Sequence, residues 1–466
     1  MGKLFGTDGI RGKAGDYPIT EEMAAAVGRA VAVTFKDPGN PSTIVVGRDT
    51  RLSGTMLESA LVTGICSVGS DAAVAGVIPT PGVAFLASSL KANAGIVISA
   101  SHNPFYDNGI KIFNGNGYKL SDEKEAQIEA LVLDNDSANR SRPVPETGRI
   151  STDSDMHKSY ISFLNSTLPS NSSFKGLKII LDCANGATCG IAPKLFSDLG
   201  AQIEALAIEP NGKNINDGCG SEHPEGLIER VLETGADLGL AFDGDGDRLT
   251  AVDEKGGVLS GDQILAICAR DLKQKGRLKN DLVVSTVMSN MGLGVALQNM
   301  GIRHETSKVG DRYVMEKMIA CGAILGGEDS GHMIFAEDHT SGDGILTALK
   351  LIEAVQSAGE NLSELKKVMT VYPQVLINVA VNAKPEINTV PGIANAIKSV
   401  ESELGERGRV LVRYSGTQPL CRVMVEGPSE TETRQYCIQL SEIIKKIIGS
   451  GAAEATRGEQ NKPEKR

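Results

Sequence analysis

A chain of 466 residues with a formal charge of −11, 53 glycines, 4% aromatic residues and no tryptophan is too long for one hydrophobic core and divides into about three or four domains. Its acidity excludes an ordinary nucleic-acid surface, which needs a basic face, but leaves room for a phosphorylated small molecule held by a few local cations. Eight scattered cysteines without a CxxC pair exclude a zinc or disulfide frame and read as thiols in a reducing compartment; with no signal core after Met1 and no run of membrane-spanning length, the expectation is a cytoplasmic protein.

In chain order, Phe5–Gly12 reads as a glycine-punctuated loop with one cation, Arg11. A helix follows, capped by Thr20, with Glu21 and Glu22 at its positive end and Met23, Val27, Ala30, Val31 and Thr34 on one face. Thr43–Val46 is a predicted strand and Gly47–Arg51 a polar turn, whose Arg48 and Arg51 read as structural ion pairs; Ser53 opens a second helix. The apolar run Gly95–Ile98 then stops at Ser99–Pro104. Proline at 104 and the turn Asp107–Gly109 place Ser101 on a loop at a strand end, where open α/β sheets put their ligands.

The polar stretch 134–153 marks a boundary, and Met156–Leu168 reads as a connecting helix. One supersecondary unit recurs three times: the strands Ile44–Val46, Lys178–Leu181 and Leu282–Val284 each precede a small-residue turn and a helix, and a later apolar segment ends in an unusual polar loop. Those loops are 101–103, 243–248 and 327–332. After a shift near Val368–Tyr372, the segments Val375–Val381, Gly392–Leu404 and Arg409–Val425 read as a smaller α+β unit. The expected fold is therefore α/β, with three similar α/β domains of mixed sheets plus a C-terminal α+β domain around a central cleft. The expected boundaries are 1–153, 154–253, 254–367 and 368–449, with 450–466 a charged, disordered tail.

Asp243, Asp245 and Asp247 alternate with glycines, so the backbone can curl three carboxylates toward one point, as a cation requires. An EF-hand would use Glu254 at its twelfth position but fails, because Arg248 stands where that loop needs glycine. Hard oxygen donors without histidine or thiol point to Mg2+; a metal-free acidic turn is the plain alternative. One ion and one serine make sense together if Ser101 carries phosphate, since the ion would draw charge from a phosphoryl group in transfer. No Walker A sequence is present, which argues against a P-loop kinase. Glu328, Ser330 and His332 could hold sugar hydroxyls or move a proton, and the run from Arg413 to Pro419 followed by Arg422 offers the cations, hydroxyls and amides that grip a phosphate monoester.

Taken together, Ser99–Pro104, Asp243–Arg248, Gly327–His332 and Arg413–Pro419, in that order over nearly the whole chain, resemble the α-D-phosphohexomutase superfamily. Leu4–Gly12, Asn214–Pro224 and Val309–Tyr313 are most similar to its members acting on an amino sugar. The resemblance implies an isomerase that moves phosphate between O6 and O1 of glucosamine phosphate through a phosphoserine and a glucosamine 1,6-bisphosphate, toward cell-wall precursors. It implies that Ser101 is the phosphoserine and, with Asp243, Asp245 and Asp247, completes an Mg2+ site. Arg11, His102 and Lys111 would surround the transferring phosphoryl group, with Lys111 a candidate for proton transfer. Arg248, Lys308, Glu328, Ser330 and His332 would hold the sugar, and Arg413, Ser415, Gly416, Thr417 and Arg422 the phosphate that is not moving. Tyr414, Gln418 and Asp329 depart from the superfamily pattern and bear on sugar preference. The implied partner is a small phosphosugar, with neither nucleic acid nor membrane; a homodimer is compatible with the sequence. A glucose or mannose phosphate mutase, a phosphosugar phosphatase and a non-catalytic sensor are the competing readings.

Overall fold

The computed structural model describes residues 4–6, 8–36, 42–134, 147–153, 155–415 and 419–449. The chain forms two compact units, Met1–Met288 with Met300–Val368, and Ser289–Asn299 with Met369–Arg466. The expected tail 450–466, Gly416, Thr417, Gln418 and most of the stretch 134–153 lie outside the described residues.

The first unit holds three sheets. One contains β1 (Phe5–Gly6), β2 (Gly9–Lys13), β3 (Thr43–Arg48), β4 (Asp71–Val77), β5 (Ala94–Ile98), β6 (Asp107–Asn114) and β7 (Ile150–Ser151), in the order β1-β2-β6-β5-β3-β4-β7. The next contains β8 (Lys178–Asp182), β9 (Gln202–Leu206), β10 (Leu238–Phe242), β11 (Leu249–Asp253) and β12 (Val258–Leu259), ordered β12-β11-β10-β8-β9. The last is β13 (Leu282–Thr286), β14 (Arg303–Ser307), β15 (Leu325–Gly327) and β16 (Met333–Phe335), ordered β14-β13-β15-β16.

The threefold recurrence expected from sequence is visible in the register. Each sheet contains a central strand (β3, β8 or β13) flanked by two parallel strands, and one of these turns back into an antiparallel partner. That turn is the same connection each time: β5 to β6, β10 to β11 and β15 to β16. It carries Ser101, then Asp243–Arg248, then Glu328–His332. Strands covered on both faces read as continuous apolar runs, and β5, β10 and β13 are buried throughout.

Helix Glu21–Thr34 starts as predicted, Thr20 Oγ1 accepting from Met23 N at 3.3 Å. It buries Ala24, Val27, Gly28, Ala30, Val31 and Ala32, so the buried face is displaced slightly from the predicted one, with Met23 only partly covered. The connecting helix spans Asp155–Ser166. Arg48 pairs with Glu58 and Arg51 with Asp49. All eight cysteines are free thiols, and no described helix is long and apolar enough to cross a membrane.

The second unit is an antiparallel sheet of β17 (Gln374–Ala380), β18 (Arg409–Tyr414) and β19 (Leu420–Glu426), ordered β17-β19-β18. Helices Pro391–Leu404 and Glu430–Ile448 supply Ile393, Val400, Leu440 and Ile444 to its core. The helix Met291–Asn299 belongs to this unit: Glu426 Oε2 accepts from Met291 N at 2.9 Å, and Asn290 Nδ2 donates to Tyr372 O at 2.9 Å.

Candidate functional site

The three equivalent turns of the first unit converge. Ser101, 1% exposed, donates from Oγ to Asp243 Oδ2 at 2.5 Å and lies 3.3 Å from His102 Nδ1. Asp243, Asp245 and Asp247 are buried, each offering one carboxylate oxygen within 4.8 Å of the others. The loop achieves this because Gly246 takes φ +71° and because a Cβ on Gly244 would fall 2.7 Å from Ser101 O. From the first sheet's side, Thr80 at the start of helix Thr80–Ser89 donates through Oγ1 to Asp245 Oδ2 at 2.6 Å and through N to Asp245 O at 2.8 Å.

Three buried carboxylates this close repel unless a cation sits among them. Lys111 supplies part of the compensation, with Nζ at 2.8 Å from Asp245 and 3.4 Å from Asp247. Burial and the Asp247 charge would raise Asp245, but Lys111 holds it below the ordinary carboxylate range. Burial would likewise raise Asp247, and Lys111, His332 and Arg248 hold it well below. At Asp243, burial and its two acidic neighbours outweigh the pull of Arg248 and push the carboxyl well up. Asp245 Oδ1 and Asp247 Oδ1 are buried with no hydrogen-bond partner. These orphaned hard oxygens, with Ser101 Oγ beside them, fit a divalent cation.

Around this centre runs a chain of alternating charges. Asp8 pairs with Arg11, with Lys111 at 3.3 Å and with Lys119 at 2.5 Å; Lys119 reaches Asp311 at 2.5 Å; and His332 lies 3.4 Å from Asp311 and 3.7 Å from Asp247. Burial disfavours charge on Lys111, yet Asp245, Asp8 and Asp247 keep its pKa well above the usual value. Burial also opposes charge on His332, but Asp247 and Asp311 raise it. His102 goes the other way, lowered by burial and by Arg248. Arg248 donates its backbone N to Asp243 Oδ1 at 3.2 Å and its Nη1 lies 3.5 Å from Glu222. Arg11 Nη1 donates to Ala100 O at 3.2 Å.

Of the expected sugar contacts, Glu328 accepts from Gly310 N at 3.0 Å, and burial pushes its carboxyl up. Ser330 is exposed on the same turn. Lys308 is exposed, its Nζ 5.7 Å from the Tyr313 ring, with no contact to the acidic loop. Asp8, Thr80, Lys119 and Asp311 were not singled out from sequence. Asp8 lies inside the glycine-punctuated loop and Asp311 inside the segment 309–313, so their placement in distinctive motifs was the available signal.

In the second unit, Arg413 and Arg422 face each other across β18 and β19. Like charges at directly opposed positions destabilise a sheet. Burial and Arg422 lower the Arg413 pKa, and Arg422 Nε is buried without a partner. Ser415 is buried beside them, its carbonyl accepting from Lys384 Nζ at 2.7 Å, which adds a third cation that sequence reading did not identify. A cluster of cations without a carboxylate is suited to an anion.

Four models of the phosphoglucomutase/phosphomannomutase family match the chain in sequence: alpha/beta/alpha domain I over residues 2–139, domain II over 158–257, domain III over 260–372 and the C-terminal domain over 376–443. The phosphoglucosamine mutases of Syntrophus aciditrophicus and Syntrophobacter fumaroxidans are each 57% identical over 449 residues, spanning 96% of this chain and 100% of those proteins. Among solved structures, a phosphoglucomutase/phosphomannomutase family protein from Burkholderia thailandensis has a TM-score of 0.78 at 23% identity, covering 94% of this chain and 97% of its own. The Aspergillus fumigatus N-acetylphosphoglucosamine mutase, solved in complex with GlcNAc-6P and magnesium, has a TM-score of 0.65 at 17% identity, covering 95% of both chains. At those identities the structural likeness speaks to the fold.

Proposed function

This chain belongs to the phosphoglucomutase/phosphomannomutase family and groups with its phosphoglucosamine mutases, and from that premise we propose that it converts glucosamine 6-phosphate to glucosamine 1-phosphate through a phosphorylated Ser101. The observation that carries the reading is Ser101 Oγ at 2.5 Å from Asp243 Oδ2, in a cluster with Asp245 and Asp247, each of which has a buried carboxylate oxygen without a hydrogen-bond partner.

In this reading Asp243, Asp245, Asp247 and the Ser101 group hold one Mg2+, which when bound draws negative charge from the phosphoryl oxygens. The phosphoryl group leaves Ser101 Oγ as its phosphorus bonds to O1 of the sugar; the O1 hydroxyl gives up its proton and Ser101 Oγ takes one up, yielding glucosamine 1,6-bisphosphate. After the intermediate turns over, Ser101 Oγ gives up its proton as it bonds to the phosphorus on O6, and the departing O6 takes a proton, leaving glucosamine 1-phosphate. The Ser101 hydroxyl proton released in the second step has two acceptors within reach, Asp243 Oδ2 and His102 Nδ1. Lys111, kept protonated by the carboxylates around it, places positive charge and a transferable proton beside the acidic loop, and His332, whose pKa Asp247 and Asp311 raise, stands next to it. Arg11 and Arg248 add cations, while Glu328, Ser330 and Lys308 serve the sugar. Arg413, Ser415 and Arg422, with Gly416 and Thr417, grip the phosphate that is not in transfer. The two phosphates exchange roles, so a gripping site on a separate unit suits the chemistry. Free thiols throughout support a cytoplasmic setting.

The test compares turnover of glucosamine, glucose and mannose 6-phosphates with Mg2+ present. The expected result is a clear preference in kcat/KM for glucosamine 6-phosphate. A preference for either neutral sugar overturns the substrate, and stoichiometric release of inorganic phosphate overturns the mutase.

A further inference from the structure

The motif Asn214–Pro224 takes no part in the chemistry above, yet one of its side chains reaches the carrier serine. Asn216 Nδ2 donates to Ser101 O at 2.9 Å and to Asn103 O at 3.1 Å. From the opposite element, the turn after β3, Arg51 Nη2 donates to the same two carbonyls, at 3.0 Å to Ser101 O. A carbonyl oxygen has two lone pairs, so Ser101 O is saturated by these donors. Ser101 N donates to Ser99 Oγ at 2.9 Å, and Ser99 Oγ donates in turn to Asp49 Oδ2 at 2.5 Å. Asp49 also pairs with the Arg51 guanidinium and accepts from Arg51 N at 2.9 Å. The carbonyl of Ser101 is thus held from outside its own loop, and its N–H is held by Ser99, which Asp49 anchors in turn.

The holding matters because Ser101 has φ +54°, a conformation that a serine adopts only when its surroundings impose it. Arg51 is buried at 1% exposure, so the carbonyls it holds are shielded from water. Asn216 has φ +58°, which asparagine tolerates, and its backbone N donates to Ala184 O at 3.0 Å, tying it to the turn after β8. Gly244 closes the arrangement, since a Cβ there would meet both Ser101 O and Asn216 Nδ2 at 2.7 Å. The carbonyl that fixes the carrier serine therefore rests on the backbone of the metal-binding loop.

We propose that Asn216 and Arg51 are positioning residues for phosphoryl transfer: from two different sheets they clamp the Ser101 and Asn103 carbonyls and so hold Ser101 Oγ in register with the acidic loop. The proposal rests on Ser101 being the phosphoryl carrier. Neither residue touches the reacting atoms; each acts through the strained backbone of the carrier.

Asn216→Gly tests this, because glycine keeps the left-handed conformation while removing both donors. A displacement of about 1 Å in a reacting atom costs up to about 100-fold in rate. The expected result is a kcat lower by about 10- to 100-fold with KM for glucosamine 6-phosphate within about twofold, slower phosphorylation of Ser101 by glucose 1,6-bisphosphate in intact-mass time courses, and Mg2+ affinity within about twofold. Arg51→Lys, which keeps a cation against Asp49 but loses the forked reach, should fall between wild type and Asn216→Gly. The proposal is overturned if Asn216→Gly turns over at the wild-type kcat, if only KM rises, or if the loss of kcat matches a loss of folded protein or of Mg2+ binding. Ser101→Ala is run alongside. Turnover in that variant refutes the carrier reading itself, whereas an inactive Ser101→Ala with a fully active Asn216→Gly refutes the clamp alone.

Discussion

Acid sensitivity of the first unit should trace in measurable part to His339, a residue outside the chemistry. Its ring is buried at 4% exposure, packs edge-on at 5.3 Å from Phe163, donates from Nε2 to Pro81 O at 3.0 Å and accepts at Nδ1 from Ser341 N at 3.2 Å. Both nitrogens are committed to the neutral ring, and burial lowers its pKa to about 4 despite the carbonyl of Pro81. An unfolded histidine titrates near 6.5. Between those values the unfolded chain binds more protons than the folded one, so stability present above about pH 6.5 is lost as pH falls through about 4. Linkage gives a loss of about 2 kcal/mol between about pH 7 and about pH 4.5 from this group alone. His339→Gln retains a donor for Pro81 O but cannot titrate. Urea unfolding followed by circular dichroism at the two pH values should show the variant weaker at neutral pH by about 1 kcal/mol, from the lost Ser341 bond. At the lower pH the difference should shrink and reverse, because carboxylate titrations common to both proteins cancel. A difference between the two proteins that stays constant with pH would show that His339 is not held neutral and would refute the reasoning.

Lys111→Met should cost about 3–5 kcal/mol without divalent ions, because it removes the ammonium paired with the buried Asp245 and Asp247; Mg2+ should raise the melting temperature of this variant more than that of wild type. An equal Mg2+ response in both would mean that the ammonium and the ion do not share the carboxylates. Arg413→Ala should raise KM for glucosamine 6-phosphate by about 10- to 100-fold, the worth of one or two charge-assisted hydrogen bonds, with Mg2+ affinity unchanged. Loss of Mg2+ binding by calorimetry would contradict the separation of the two sites.

Much of this architecture is legible in the chain because its strands are buried on both faces. Continuous apolar runs such as Ile179–Leu181 and Val283–Val284 announce parallel strands, and the loops after their neighbours carry residues too polar for plain turns. The convergence of Ser101 with Asp243 follows from the equivalence of those turns, which a repeated pattern can reveal. What the pattern could not carry is pairing at long range. Asp8, Lys119 and Asp311 are ordinary charges in sequence and become one network only because β1 and β2 continue the first sheet past β6, and because helix Asp311–Cys321 starts beside His332. Arg51 read as a structural ion pair, and it is one with Asp49; its second role depends on carbonyl positions that no residue type encodes. The grouping of Met291–Asn299 with the second unit is set by Glu426, more than a hundred residues away in the chain.

The central claim is that Ser101 carries the phosphoryl group between the two ends of one sugar. The most direct measurement is a single turnover with the enzyme radiolabelled at phospho-Ser101 and supplied with Mg2+ and unlabelled glucosamine 6-phosphate. The label should leave the protein and appear at O1 of glucosamine 1,6-bisphosphate and then of glucosamine 1-phosphate. Label that stays on Ser101 while product forms, or that departs as inorganic phosphate, would contradict the account.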